Sequence, residues 1–314
     1  MKNYFIRRYT LEDYAIWNNF VSSAKNATFL FHRDFMEYHS DRFQDFSLLV
    51  FDEDKLISVL PANRVGETIF SHQGLTYGGF VFLDEMDKNE VEVIVKKIVE
   101  YLDKKDFKFL VIKEMISIYE KRIIIRFNDF FSNEEVTILD EKIYLAINYR
   151  SDYKISKSKL KHYRRLQSEG LIIKKESNFE VFWKTILEPL LDEKYNTKPV
   201  HSLEEIELLG NKFPENIEQY SLYKEDEILA GITIFKTQNV VKSQYGATTE
   251  KGKMYRALDY LFIYLVEMFA NGFDFFDMGT VNDNSELGYN LGLYNQKKEL
   301  GCDVFTQSIY QIRI

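Results

Sequence analysis

The sequence is poor in cysteine and proline, with a single Cys302 and four prolines among 314 residues. One cysteine excludes a disulfide bond within the chain and is typical of a reducing compartment. No tract rich in Pro, Gly or Ser interrupts the chain, so we expect no long flexible linker. Zinc-type spacings of Cys and His, a P-loop, a nucleophile-elbow motif and a dinucleotide fingerprint are also missing. We therefore expect no metal ion.

Long apolar runs and net positive charge are missing as well. The most apolar stretch, 257–270, contains Asp259 and Glu267 and is too short and too charged to cross a bilayer. The N-terminal segment lacks the apolar core of a signal peptide. The net charge of −8 repels polyanions except at a local basic patch. We expect a soluble, cytoplasmic protein without a membrane span and without DNA as a partner.

What the sequence does have is enough apolar residues for two folded domains. Hydrophobic residues make up 45% of the chain, which argues against disorder and for a buried core. A chain of 314 residues is long for one domain and sufficient for two.

The two halves of the chain resemble each other. Residues 46–60 and 220–234 each consist of an apolar segment, an acidic turn and a second apolar segment, which predicts a β-hairpin. Asp54 in the first turn lies 172 residues before Asp226 in the second, and Gly74 lies 172 residues before Gly246. Because turn and glycine share one offset, we interpret the halves as a duplication.

Helical patterns follow in both halves, starting at Val91 and Arg256, and each precedes an apolar strand. There the offset is 166, so we expect a six-residue length change between sheet and helix. Each half thus predicts three strands, a helix and a strand. The fold class is α/β, in the sense of a mixed, mostly antiparallel sheet flanked by helices, in two domains over residues 1–150 and 151–314.

Several motifs of the second half occur in a known order. The strand VVKSQYGATT precedes a helix that begins near Tyr255 and ends at Asn271-Gly272, and FDFFDMGT follows. The segment QKKELG, 296–301, and the basic helix KSKLKHYRRLQSEGL complete the set. In this order the second half resembles the GNAT superfamily, and the whole chain resembles its tandem-domain branch, the FemABX-like acyltransferases.

The resemblance implies two tandem GNAT-like domains, the first on the acceptor side and the second on the acyl-donor side. It implies an acyltransferase that uses acetyl-CoA or another acyl-CoA and acts on an amino group. The acceptor would be a small molecule, a nucleotide-activated sugar or a cell-envelope precursor. The alternatives are a FemABX-type transferase that uses aminoacyl-tRNA, with tRNA as a partner less favoured, and a non-catalytic GNAT-like binding protein. No oligomeric state is predicted.

One departure from the family pattern bears on the donor. Single-domain GNAT enzymes carry a Gln/Arg-x-x-Gly-x-Gly/Ala loop around the coenzyme pyrophosphate. The stretch EKGKMYRALDY has only Gly252 at this place. Such a loop depends on backbone N–H groups that point at phosphate. The missing glycines favour the alternatives to acetyl-CoA.

Three residues are candidates for the chemistry. Lys297 aligns with the family's C-terminal lysine, and its ammonium would stabilise an oxyanion or a phosphate; otherwise it is a solvated lysine. His72 in SHQGLTYGG, which the repeat places on a strand and its exit loop, has a pKa suited to a general base, although a lone histidine is usually structural. Asp277 would orient backbone or substrate, or else cap a turn.

Two further sets of residues are predicted to bind the donor and the other substrate. The basic segment Lys154–Arg165 carries six Lys or Arg residues and no acid, which fits a CoA phosphate, a nucleotide-linked substrate or a tRNA backbone, or else a solvated helix face. The predicted cofactor-binding residues are Tyr245, Gly246, Ala247, Lys251, Gly252, Lys253, Tyr255 and Arg256. The predicted substrate-binding residues are His32, Arg33, Gln73, Tyr77, Arg164 and Arg165.

Overall fold

The computed structural model describes residues 4–83, 86–119 and 135–314. The chain divides into two compact units. Unit 1 comprises Met1–Lys142 together with Thr306–Ile314, and unit 2 comprises Ile143–Phe305. Among the described residues, no helix combines the length and the apolar composition that a membrane span requires.

Unit 1 contains a four-stranded antiparallel sheet in the order β1-β3-β4-β7 and a second group in the order β8-β6-β5-β2. Its strands are β1 (Tyr4–Arg8), β2 (Gln44–Asp45), β3 (Leu48–Asp52), β4 (Lys55–Leu60), β5 (Asn63–Val65), β6 (Thr68–Phe70), β7 (Val81–Phe82) and β8 (Phe109–Lys113). Its helices are α1 (Tyr14–Ser23), α2 (Arg33–Met36) and α3 (Lys88–Asp103), with 3-10 turns at Leu11–Asp13, Phe29–Phe31 and Glu37–His39.

Helix α3 shows how the pattern of apolar residues builds the core of unit 1. Its buried residues recur at helical spacing, which places them on one face. They are Val91, Ile94, Val95, Ile98 and Leu102. The side chain of Asp87 caps the helix by accepting a hydrogen bond from Glu90 N. The buried face packs with residues of the strands in one apolar cluster.

Unit 2 contains a mixed sheet in the order β10-β11-β12-β13-β14-β9. Its strands are β9 (Val136–Asn148, which begins in unit 1), β10 (Leu171–Glu176), β11 (Ile217–Lys224), β12 (Glu227–Lys236), β13 (Val240–Thr248) and β14 (Phe275–Thr280). Its helices are α4 (Lys157–Leu166), α5 (Glu180–Phe182), α6 (Glu188–Tyr195), α7 (Leu203–Lys212), α8 (Glu250–Met254), α9 (Ala257–Phe269) and α10 (Leu291–Glu299), with a π-helical turn at Trp183–Leu187. The apolar helix α9 lies in the core against the sheet.

The last strand, β15 (Asp303–Arg313), begins in unit 2 and ends in unit 1. Residues 309–313 pair antiparallel with β8. This pairing explains why Thr306–Ile314 lies with unit 1, whereas the sequence pattern placed all of 151–314 in the second domain.

The expected duplication is visible in the hairpins β3–β4 and β11–β12. Each turn contains a residue in the left-handed region, Glu53 with φ 52° and Glu225 with φ 55°. Each hairpin also has a register shift, between Val50 and Phe51 in one and between Leu222 and Tyr223 in the other. Turn and irregularity both recur at the offset of 172 residues, so the two hairpins are equivalent position by position.

The length change lies earlier than the sequence pattern suggested. Ser58 pairs with Phe82 in unit 1, and the equivalent Ala230 pairs with Thr248 in unit 2. The third strands therefore already follow the offset of 166. The predicted equivalence of Gly74 and Gly246 is wrong, and SHQGLTYGG forms a loop rather than a strand.

The physical reason is the segment between β4 and β7, which contains the extra hairpin β5–β6 and then folds tightly on itself. A Cβ atom added to Gly78 would lie 1.9 Å from Ser71 O. The backbone is therefore packed against itself here and is not extended in a sheet.

Candidate active site

Strands β13 and β14 of unit 2 run parallel and then separate. They pair only at three positions, from Val240 with Phe275 to Lys242 with Asp277. Beyond Lys242, β13 continues to Thr248, and among the described residues it pairs there with β12 alone. A register shift leaves Gln244 without a partner in β12, so that β13 bulges beside the opening. One edge of β13 is thus open to a ligand.

Three charged side chains meet at the point where the two strands separate. Lys242 Nζ lies 3.5 Å from Asp277 Oδ2. Lys297, on α10, is 5% exposed and donates to Gly279 O at 3.1 Å and to Thr280 O at 2.9 Å. Asp277 is fully buried and accepts from Gly279 N at 2.7 Å. We call Lys242, Asp277 and Lys297 the charged triad.

Burial shapes the protonation of the triad. It lowers the pKa of Lys297 to about 8, against the opposing attraction of Asp277. At neutral pH Lys297 remains largely protonated, but it can release its proton far more readily than an exposed lysine. Tyr144 on β9 lies beside Lys242, whose Nζ is 5.7 Å from the centre of the ring, and burial raises the pKa of this tyrosine. The triad is a buried donor group with a partly desolvated ammonium.

Unit 1 places two of the predicted residues, Arg33 and His72, at one cavity. This cavity has a volume of about 320 Å³ and is also lined by Tyr9, Glu37 and Asp45. A second cavity, of about 340 Å³, is lined by His72 and Gln73, and by Lys113 at the end of β8. His72 is thus shared by both cavities.

The remaining predicted residues of unit 1 make internal contacts. Tyr77 is buried and donates to Thr28 Oγ1 at 3.0 Å. Gln73 exchanges two hydrogen bonds with Asn63. His32 is the residue before α2, and burial lowers its pKa. Neither Tyr77 nor His32 lines either of the two cavities.

Comparisons with known proteins bear on the fold. No protein-family model matches the sequence, and none of the curated proteins does. Solved structures do match: FemX, at 11% identity and a TM-score of 0.69, over 97% of this chain and 96% of that one. The chain has a tandem GNAT-like fold of the FemX type.

Two other solved structures agree with this assignment of the GNAT-like fold. L-PGS from Bacillus licheniformis matches at 14% identity and a TM-score of 0.61, over 97% of this chain and 92% of that one. A tandem GNAT protein from the clavulanic acid biosynthesis pathway matches at 9% identity and a TM-score of 0.51, over 99% and 98%. Both comparisons cover the two units together, as the sequence resemblance predicted.

In this GNAT-like fold, the predicted coenzyme loop lies between β13 and α9, and its cations already have carboxylate partners. Lys251 contacts Glu227, and Lys253 contacts Glu250. Gly252 is packed so closely that an added Cβ would lie 2.2 Å from Leu229 O. The loop therefore presents fewer free positive groups than its sequence indicated.

A carboxylate of the protein lies at the start of α9, where the family pattern predicts the pyrophosphate. Asp259 accepts from Arg256 Nη2 at 2.9 Å, from Lys159 Nζ at 2.8 Å and from Gln296 Nε2 at 3.2 Å. Tyr255, also predicted at this site, contacts His162 Nε2 through its backbone oxygen at 3.2 Å. The positive end of α9 and two nearby cations are thus occupied internally.

The predicted strand residues Tyr245, Gly246 and Ala247 differ in role. The hydroxyl of Tyr245 lies 2.6 Å from His201 Nδ1, and burial raises the pKa of Tyr245 to about 12. Gly246 is exposed, and a Cβ atom there would make only ordinary contacts, 3.5 Å from Phe262. Ala247 is buried. Gly246 is therefore the residue of the three that a ligand can approach.

Helix α4 presents an exposed basic face. Its one buried cation is Lys159, which pairs with Asp259. The exposed cations recur at helical spacing, and no carboxylate among the described residues pairs with them. We call them the basic stripe: Lys157, Lys161, Arg164 and Arg165. Arg165 also contacts His162, with Nη2 3.1 Å from Nδ1.

Sequence reasoning missed several residues that the structure brings to these sites. Lys242 lies on the quoted strand, and the spacing of Lys242, Gln244 and Gly246 was the signal that could have found it. His39 contacts His72, with ring centroids 5.2 Å apart, and Asp45 pairs with Arg33. No local pattern connects these residues. Among the described residues, no group of three or more His, Cys, Asp or Glu could hold a metal ion.

Proposed function

We propose that the protein transfers an acyl or aminoacyl group from an activated ester or thioester to an amino group. The observation that carries this proposal is the charged triad, buried where two parallel strands separate. The proteins that share this fold include one named as a tandem GNAT protein and one named FemX, which supports the same class of reaction. Fold alone does not decide function, so the triad is the stronger support.

The proposed chemistry assigns a role to each member of the triad. The amine nitrogen attacks the donor carbonyl, a C–N bond forms, and the C–O or C–S bond to the leaving group breaks. The amine loses one proton, and the leaving group gains one. Two N–H groups of Lys297 donate to backbone carbonyls, and the third serves the carbonyl oxygen or the leaving group.

The pKa of Lys297, about 8, suits donation of a proton to the leaving group near neutral pH. Asp277 holds the two lysines in place through its charge and is a positioning residue rather than a catalytic one.

We propose an aminoacyl-tRNA type of donor rather than acyl-CoA, the donor that the sequence resemblance favoured. The cations of the coenzyme loop are paired with Glu227, Glu250 and Asp259, which weakens the site for a compact pyrophosphate. The basic stripe, in contrast, follows an exposed helix face and fits an extended phosphate backbone. Unit 1 is proposed to bind the amine acceptor in the cavity at Arg33 and His72.

The donor is tested by binding measurements on the full chain with mixed aminoacyl-tRNA, uncharged tRNA and acetyl-CoA. If four phosphates contact the stripe, affinity for tRNA should fall about 10²-fold between 50 and 200 mM salt. Lys161→Ala should reduce the salt slope by about 1. Lys174→Ala, an exposed lysine on β10, is the matched control. Tight, stripe-independent binding of acetyl-CoA would overturn the choice of donor.

The role of Lys297 is tested by single-turnover transfer of a radiolabelled acyl group to a panel of amino acids, amino sugars and amine-bearing envelope precursors. Lys297→Ala should slow transfer by about 10²–10³-fold with unchanged donor affinity. Lys298→Ala, the exposed neighbour, should transfer normally. Unchanged turnover in Lys297→Ala would remove it from the mechanism, and donor binding without any transfer would favour a non-catalytic protein.

A further inference from the structure

We infer that unit 1 binds a carboxylic acid that also carries hydroxyl or amino groups, and that Arg33 holds the carboxylate through Nε and Nη2. That this acid is the acceptor rests on the proposed function; the binding itself does not.

The guanidinium of Arg33 is buried and fixed in orientation. The residue is 1% exposed. Its Nη1 pairs with Asp45 Oδ2 at 2.6 Å. Its guanidinium carbon lies 3.3 Å from the ring centre of Tyr9 and 4.0 Å from that of Trp17. Stacking on two aromatic rings holds the planar group in one position.

The opposite edge of this guanidinium has no protein partner. Nε and Nη2 of Arg33 are both buried without a hydrogen bond among the described residues. These two N–H groups point in parallel from one edge, which is the geometry that a carboxylate accepts with both oxygens. Buried charged donors are almost always paired in folded proteins, so an unpaired fork that lines a cavity indicates a missing anion.

The same place gathers further unpaired polar atoms. Seven buried side-chain polar atoms of the described residues lack a partner, and five of them belong to Arg33, His39 and His72. The rings of His39 and His72 are in contact, and His72 lines the cavity with Arg33. His72 also adopts a left-handed backbone, with φ 62°, a conformation that residues other than glycine keep mainly at functional sites.

The two histidines define what accompanies the carboxylate. Burial lowers the pKa of His72 to about 3 and that of His39 to about 4, so both rings are neutral at physiological pH. A neutral imidazole offers one N–H donor and one acceptor nitrogen, which suits hydroxyl or amino groups of the ligand. The cavity of about 320 Å³ accommodates a molecule of the size of an amino acid or a sugar acid.

The charges of the cavity favour a carboxylate over a phosphate. Arg8 and Arg33 line it together with Glu37 and Asp45, so the lining is close to neutral. A phosphate monoester adds about −1.5 to −2 charges at pH 7, whereas a carboxylate adds one. Because Glu37 has no cation paired with it among the described residues, the smaller added charge is less costly here.

The experiment is a ligand panel on the full wild-type chain, read by thermal shift and by calorimetric titration. Glucuronate and glutamate represent the two acid classes; glucose, glutamine amide and inorganic phosphate are the matched comparisons. We expect one acid class to raise the melting temperature and to bind at least tenfold tighter than its neutral analogue. If neither acid exceeds its analogue, or if phosphate alone binds, the inference is overturned.

Two variants test the fork itself. Arg33→Lys keeps the charge but loses the paired N–H groups, so acid affinity should fall at least tenfold. Arg7→Lys is the control, since both Nη atoms of Arg7 already donate to Asp13. Asp45→Asn removes the competing carboxylate and should tighten binding, a change of opposite sign. Unchanged acid affinity in Arg33→Lys contradicts the inference.

The ligand panel and the transfer assay fail separately. Acid binding without acyl transfer to that acid leaves the carboxylate site standing and removes its role as acceptor site. Acyl transfer to amines without any selective binding of acids overturns the carboxylate site and leaves the proposed function standing.

Discussion

The two buried histidines of unit 1 should make the protein sensitive to mild acid. His39 and His72 are 1% and 3% exposed, and burial lowers the pKa of the first to about 4 and of the second to about 3. Folding keeps both rings neutral, whereas the unfolded chain takes up a proton on each ring below its ordinary pKa of 6.5. Protons bind the unfolded state in excess, so stability falls as the pH drops from 6.5 towards 3.

The size of this effect at pH 5.0 hardly depends on the lowered values. Both folded-state pKa values lie below 5, so the loss is set by protonation of the unfolded chain, which amounts to ~2 kcal/mol for each ring. The free energy of unfolding should therefore fall by at least ~4 kcal/mol between pH 7.5 and 5.0. His32, whose pKa is also lowered by burial, acts in the same direction. The carboxyl of Asp13, with a pKa of about 2, titrates only below this window.

The assay is urea unfolding at the two pH values, followed by tryptophan fluorescence. The chain has two tryptophans, Trp17 in unit 1 and Trp183 in unit 2, so a Trp183→Phe background reports on unit 1. In this background, His72→Asn should lose only about half as much stability on acidification, because asparagine tolerates the left-handed backbone and does not titrate. His162→Gln, in unit 2, is the control and should keep the full loss.

Two outcomes would refute the reasoning. A loss below about 1 kcal/mol in the parent protein would show that the rings are not held neutral by burial. An equal loss in His72→Asn and in the parent would show that other groups cause the acid sensitivity.

Two further predictions concern stability in unit 2, both measured by urea unfolding at pH 7.5. Gly231→Ala should destabilise by about 1–3 kcal/mol, because its Cβ atom would lie 2.2 Å from Phe182; Gly272→Ala, with open space around it, should stay within about 0.5 kcal/mol. Equal stabilities of the two variants would contradict this packing. Asp259→Ala should cost about 3–5 kcal/mol, since it leaves the buried Lys159 without its closest partner. A cost below 1 kcal/mol would show that Glu299, 3.5 Å from Lys159, replaces it.

Much of the fold could be predicted because its signals are local. The hairpin turns at Asp54 and Asp226, the helical spacing after Val91 and Arg256, and the offset between the halves all lie within short windows of sequence. The GNAT-like fold in two units follows from their order, and the solved structures of the same fold agree with it. The equivalence of Gly74 and Gly246 failed because a shared offset says nothing about where an inserted hairpin lies.

The sequence by itself determined the duplication, the mixed sheets with their helices, and the candidates Lys297, Asp277 and Arg33, because these depend on residue type and spacing along the chain. Only the tertiary structure decided which charges are already paired. It showed that Asp259 occupies the cations beside α9 and that the fork of Arg33 faces a cavity unpaired. Such pairings join residues far apart in sequence, and burial and hydrogen bonding exist only once the chain is packed.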